Sequence, residues 1–191
     1  MSESIDLLLS RRSVKARKLT EPGPDAKQLE TILQASARVP DHGKLCPWRF
    51  IVLKGEARAK FSEIVVAAYK RRKPEARDEK IEKQRRRFQQ APAIVVVVSC
   101  TTPHAKVAKW EQKLSIGAAC MNMLHAVHAL DFAAQWLTDW QASDPAVAEA
   151  LGLDGDQYIA GFIHIGSAMS APKDRPRPEL SDIVTEWQPP A

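Results

Sequence analysis

Residues 93–98, "AIVVVV", are apolar at every position, with β-branched side chains on both parities. An alternating pattern would mark a strand with one wet face. A run without alternation predicts a strand covered on both sides of its sheet. Ile5, Leu8 and Leu9 recur at helical spacing and predict a short helix over 3–11. After the breakers Pro22, Gly23 and Pro24, Asp25 and Gln28 form a capping-box pattern. Leu29, Ile32 and Leu33 then give the apolar face of a helix that must stop before Pro40. "WRFIVLKG" reads as a strand and "EARAKFSEIVVAAYKRR" as a helix. Trp110 to Leu130 is apolar around most of its circumference and rich in small residues, which predicts a central helix able to pack closely on a symmetry mate. An extended "FAAQWLT" follows, then a short helix with Asp144 at its N-cap and Pro145 at its first position, then a strand "YIAGFIHIGSA". The last segment, 172–191, is proline-rich but carries Leu180, Ile183, Val184 and Trp187. A plain linker has no use for those side chains, so this tail is expected to dock on another surface. Strands and helices alternating around a doubly covered strand imply a layered α/β protein with one core and no internal boundary over 1–191.

Composition changes this picture little. A chain of 191 residues suits one domain, and no apolar run approaches the roughly 20 residues of a membrane span. The start "MSESIDLLLSRR" lacks a cleavage site, and the three cysteines are odd in number and widely spaced, so a cytoplasmic protein with free thiols is expected. Charge is more informative. The net charge is +5, yet residues 70–87 alone hold 10 Lys/Arg and 4 Asp/Glu, an excess of 10 − 4 = +6. This stretch reads as a solvated helix with mixed-sign neighbours such as Glu79 and Lys83, or as a patch for an anion or nucleic acid.

Candidate chemistry is sparse. His125 with His128, and Cys100 with His104, do not reproduce a structural zinc spacing, so no metal is expected. Cys46 beside Lys44 and His42 could be a thiolate, but its place between Leu45 and Pro47 suits a small apolar residue equally well. There is no phosphate loop and no G-x-G-x-x-G. What remains for an anion is "RRSVK", where Arg11, Arg12 and Lys15 surround the hydroxyl of Ser13, since guanidinium forks match phosphate oxygens.

Four stretches in order change the weight of that signal: "SRRSVK", "LETILQASARVPDHGKLCPWRFIVL", "KWEQKLSIGAACMNMLHAVHALDF" and "GFIHIGSAMSAPKDRPRP". Together they resemble the nitroreductase family of FMN flavoproteins, in its small bacterial single-domain branch. The resemblance implies an α+β fold, a three-layer sandwich with a mixed, largely antiparallel sheet flanked by helices. It implies an intertwined homodimer built on the long helix, with two FMN sites at the interface. Residues of about 70–90 would form a basic helical excursion, and 172–191 would embrace the partner. Arg11, Arg12 and Ser13 match the stretch that holds the FMN phosphate and ribityl chain, and Lys15 the cation near the flavin N1 and O2. Arg38 and His42 match residues that reach the cofactor of the other subunit. Trp136, Leu137 and Thr138 match a stretch along the flavin, and Arg177 a late phosphate-binding arginine. Ala126, Val127, His128, Ala129, Leu130 and Asp131 correspond to a segment sometimes assigned to NAD(P)H. The chain departs from the pattern in carrying Leu137 where arginine is common, and Asp131 with Phe132 where glycine is usual.

The activity so implied is ping-pong transfer of reducing equivalents from NAD(P)H through FMN to a nitroaromatic, a quinone or a related small acceptor. The cofactor carries the chemistry, so no catalytic side chain in the strict sense is expected. The competing reading is a non-catalytic protein that binds flavin, or nucleic acid through 70–87. Neither a membrane nor, on the first reading, a nucleic acid is an expected partner.

Overall fold

The computed structural model describes residues 2–190. One five-stranded sheet organises it, built from β1 (Leu19–Thr20), β2 (Trp48–Lys54), β3 (Ala93–Ser99), β4 (Ala133–Leu137) and β5 (Tyr158–Ala168). β3 lies between β2 and β5, and both β1 and β4 pair with β5. Each of these pairings is antiparallel. Every residue of β3 is buried, as its unbroken apolar run predicts. Its parities serve different cores. Ala93, Val95 and Val97 meet Ile163 and Ile165 of β5 under α2 (Ala26–Ser36) and α5 (Lys109–Ala129). Ile94, Val96 and Val98 meet Phe162 under α3 (Glu56–Arg72) and α6 (Pro145–Ala150). At roughly 1.5–3 kcal/mol per buried valine or isoleucine side chain, β3 is the strand on which both layers depend.

The local signals operate as read. Asp25 accepts from the Gln28 N–H and the Gln28 side chain returns to Asp25, closing the capping box on α2. Asp144 accepts from the Ala146 and Val147 N–H groups at the start of α6, with Pro145 in its first turn. The basic stretch becomes the end of α3 and a packed helix, α4 (Asp78–Arg87). Phe88 anchors it edge-on against Phe61 and Phe162, at 5.0 and 5.2 Å between centroids. The Ser62 hydroxyl donates to the Arg85 carbonyl at 2.9 Å, tying α3 to α4.

α5 buries Ile116, Cys120, Met123 and Val127 against the sheet, yet also exposes Trp110 (66%) and Leu114 (64%). The side chains of Ile5, Leu8 and Leu9 on α1 (Glu3–Ser10) are exposed as well. So are Leu180, Ile183, Val184 and Trp187, on and after the short α7 (Leu180–Ile183). All three cysteines are free, and no described helix is long and apolar enough to cross a membrane.

Candidate functional site

α1 ends at Ser10, and the chain then runs extended alongside β4. The Val14 N–H donates to the Ala134 carbonyl at 3.0 Å, and the Ala16 N–H to Gln135 Oε1 at 2.6 Å. Burying Val14 and Ala16 leaves the alternate residues, Ser13 and Lys15, facing outward.

The two arginines of this arm have different fates. Arg12 donates to the Lys173 carbonyl and pairs with Asp174 Oδ1 at 3.0 Å, so it fastens the C-terminal segment to the arm. Arg11 has no such partner among the described residues: its Nη1 is buried and makes no hydrogen bond to them. Burial, then Arg177 and then Arg12 disfavour its charge, so three guanidinium groups share this neighbourhood. His128, on the last turn of α5, is held below the usual imidazole range by burial and by Arg11, and its Nε2 is a second buried orphan. His125 is lowered for the same two reasons. Arg11, Arg12, His128, Asp131 and Phe132 border a cleft of about 440 Å³. Leaving a buried polar group unpaired costs about 1–3 kcal/mol, more when it is charged. An anion with several oxygens, as on a phosphate, would relieve both orphans and the crowding of like charge.

A second cleft of about 540 Å³ lies at the other end of β4. Lys15, Arg17, Gln135 and Leu137 line it on the arm and strand, while Lys83, Arg86 and Arg87 line it on α4. Asp139, left-handed at φ 54°, is paired with Arg87. Burial works against its ionisation, but the Trp140 N–H, Arg87 and Lys83 outweigh it and hold the carboxyl below its ordinary range.

The residues singled out in the sequence therefore fall into separate places. Arg11, Arg12, His128 and Asp131 border the first cleft, and Lys15 and Leu137 the second. Trp136 projects from the other face of β4, over Gly161, and its Nε1 donates to the Ala160 carbonyl at 3.1 Å. A Cβ at residue 161 would stand 2.0 Å from that nitrogen, which is why glycine is required there. Ser13, Thr138 and Arg177 are exposed, and Val127 is core. Arg38 sits beside Asn122 in the second half of α5, and His42 beside Glu111 near the start of that helix. The Arg38 carbonyl accepts from Asn122 at 2.9 Å, and His42 Nδ1 hydrogen-bonds Glu111 Oε1 at 2.7 Å. Glu111 precedes His128 by 128 − 111 = 17 residues. At 1.5 Å per residue, His42 is thus held roughly 25 Å along α5 from the Arg11 cluster.

The sequence model of the nitroreductase family matches residues 8–167. The chain belongs to the nitroreductase family. "Putative NAD(P)H nitroreductase YdjA" of Escherichia coli (strain K12) is 37% identical over 169 residues, covering 86% of this chain and 88% of that one. Among solved structures, a nitroreductase-like family protein from Bacillus cereus superposes with a TM-score of 0.82 at 23% identity, covering 97% and 96% of the two chains. A variant of the FMN and NADPH-dependent nitroreductase NfnB from Sphigopyxis sp. strain HMH gives 0.77 at 21% identity, covering 98% and 99%. These likenesses establish the α+β sandwich of this nitroreductase-family chain.

Several residues of the clefts and of the loop after α2 escaped the sequence reading. Asp41 organises the loop after α2: its carboxylate accepts from the Leu45 N–H at 3.1 Å and the Cys46 N–H at 2.8 Å, stabilising left-handed Lys44 and Cys46. An aspartate two residues before Gly43 is a legible turn signal. Gln135 was visible as a polar residue within an otherwise apolar β4. Arg87 was read only as part of the basic stretch 70–87, and Arg17 and Asp139 carried no local signal.

Proposed function

We propose that this nitroreductase-family chain is an NAD(P)H-dependent flavin oxidoreductase that holds FMN between two copies of itself and reduces a small acceptor such as a nitroaromatic or a quinone. The observation that carries the reading is the buried, unpartnered Arg11 Nη1 in a cluster with Arg12, Arg177 and His128. Two relatives agree in their names, one an NAD(P)H nitroreductase and the other FMN and NADPH-dependent. Bound FMN would supply reversible two-electron chemistry, and the protein would supply position and charge.

In this scheme Arg11, Arg12, Ser13 and Arg177 hold the phosphate and ribityl end. Lys15 places a positive charge at the ring, and the Trp136–Leu137–Thr138 segment lies along it. The end of α5, with His128 and Asp131, borders the phosphate end, so the nicotinamide nucleotide would enter at the other end of β4, past Lys15 and Leu137, and not along Ala126 to Asp131. No side chain is required to act as nucleophile or general acid. His42 cannot serve the same site in one subunit, given its separation along α5, and with Arg38 instead completes the site of the partner. The exposed apolar residues of α1, α5 and the 172–191 tail are the surface such a dimer would cover. Free thiols suit a reducing compartment, and we place the protein in the cytoplasm. Nucleic-acid binding through 70–87 has weaker support, because Arg85 is engaged by Glu63 and Glu82, Arg87 by Asp139, and Arg72 lies over Trp140.

The test is an anaerobic absorbance spectrum of the purified protein before and after NADPH or NADH, with its mass measured in solution. Flavin bands that bleach, on a dimer, support the reading. A monomer that neither carries flavin nor takes up added FMN overturns it.

A further inference from the structure

The cleft against α4 holds more positive charge than a flavin ring requires. Among the described residues, Lys15, Arg17 and Lys83 have no carboxylate at ion-pairing distance. Arg86 has only a long 3.7 Å approach to Glu82, which also serves Arg85 at 2.9 Å. Asp139, the acid that lines the cleft, is already matched by Arg87. Lys83 and Arg86 are three residues apart on α4 and so share one face, turned to this cleft. A concave site walled by unmatched cations concentrates positive potential and attracts an extended anion. The volume of about 540 Å³ is that of a small-molecule site, not of a single phosphate.

The cations also sit at two depths. Lys15 and Arg17 belong to the arm on β4, beside Gln135 and Leu137, where the reacting end of a nucleotide would approach. Lys83 and Arg86 are exposed on the opposite wall. A pyridine nucleotide lying across the cleft has its diphosphate in the middle and its adenosine outermost. In NADPH that outer end bears a phosphate monoester, close to two further negative charges.

We infer that Lys83 and Arg86 on α4 recognise the 2′-phosphate of NADPH and make the protein prefer NADPH to NADH. The inference rests on the flavin-oxidoreductase reading above. It assigns the basic stretch to co-substrate selection.

The experiment is steady-state kinetics with NADPH and with NADH at a fixed quinone acceptor, for the wild type, Lys83→Gln, Arg86→Gln and Lys80→Gln. Lys80 lies on α4 outside this cleft and serves as the control. Removing either cation should lower kcat/KM for NADPH about 10-fold, with NADH changing less than about 2-fold. Inhibition by 2′,5′-ADP should weaken in parallel, and Lys80→Gln should keep the wild-type ratio. Equal losses for both nucleotides would assign these cations to the diphosphate and overturn the inference, as would an unchanged ratio. The flavin spectrum separates the two readings. Wild-type protein without flavin defeats both, whereas bound flavin that bleaches, with an unchanged ratio in the variants, defeats this one alone.

Discussion

Two arginine-rich regions flank β4 and use their charge in opposite ways. α4 and its approach hold most of the cations, and several of them are engaged within the molecule: Arg85 by Glu63 and Glu82, Arg87 by Asp139, Arg72 over Trp140. The N-terminal arm offers few, and commits one of them, Arg12, to the Lys173–Asp174 turn. Of those it leaves, Arg11 has a buried guanidinium nitrogen without a hydrogen bond among the described residues. Charge density therefore points to α4, and unmet hydrogen-bonding capacity points to Arg11. The second criterion selects better, because a paired surface charge contributes little to binding while an orphaned buried donor costs stability until a ligand arrives. Lys83 and Arg86 are not so engaged, apart from the long approach of Arg86 to Glu82, and both line the cleft beside Lys15 and Arg17.

The largest expected effect follows from Arg11. Replacing it with alanine should weaken FMN binding on the order of 100-fold, equivalent to about 2–3 kcal/mol for a charge-assisted hydrogen bond to phosphate. Arg11→Lys should fall between, since it keeps the charge but loses the fork. The apoprotein provides a second readout of opposite sign. An orphaned guanidinium costs stability, so Arg11→Ala without flavin should melt no lower than the wild type. Fluorescence titration with FMN and thermal melts of the apoprotein check both. Wild-type affinity in Arg11→Ala would erase the contrast between the two regions.

His164 shows what an orphan means where no ligand can reach. It is fully buried on β5, 5.7 Å from the Phe88 ring, and neither ring nitrogen has a partner. Burial, then Arg87, pushes its pKa down from the ordinary 6.5 to about 3, so it stays neutral in the fold and charges readily only when unfolded. Stability is thus undiminished above pH 6.5 and lost as pH falls below it towards 3, at about 1.4 kcal/mol per unit, or about 2 kcal/mol by pH 5. Urea midpoints at pH 7 and 5 should separate in the wild type and converge in His164→Leu. Equal separation in both proteins would show that another group carries the acid sensitivity.

The fold was legible wherever a local pattern decided it. The β-branched run gave β3, the capping box gave α2, and Asp144 with Pro145 gave α6. α3 and β5 occupy the spans that their periodicity predicts. The candidate site was legible as a set of residue types but not as an arrangement. That Arg12 and not Arg11 is engaged depends on residues 173 and 174 returning to the arm, and the pairing of His42 with Glu111 spans 69 positions. Asp139 and Arg87 meet across 52. Such approaches are set by packing of whole layers, and no window of sequence contains them.

The smallest effect asks whether pairing is what keeps Arg87 out of the binding surface. Asparagine matches aspartate in size and keeps the side-chain oxygen that accepts from the Trp140 N–H, so Asp139→Asn removes a charge and little else. The pair is half-exposed, and after screening by solvent its loss should cost under about 1 kcal/mol, fading further in salt. Because this carboxyl is held below its usual range, its contribution is complete at pH 7 and vanishes only as pH drops through that depressed value. The same substitution frees a guanidinium at the wall of the α4 cleft, so 2′,5′-ADP should inhibit about 2- to 3-fold more tightly at low salt. Melts that fall slightly while inhibition tightens would show one arginine moved from structural to binding use. If stability falls with no gain in inhibition, Arg87 is withheld by its position on α4, and pairing alone does not separate the two regions.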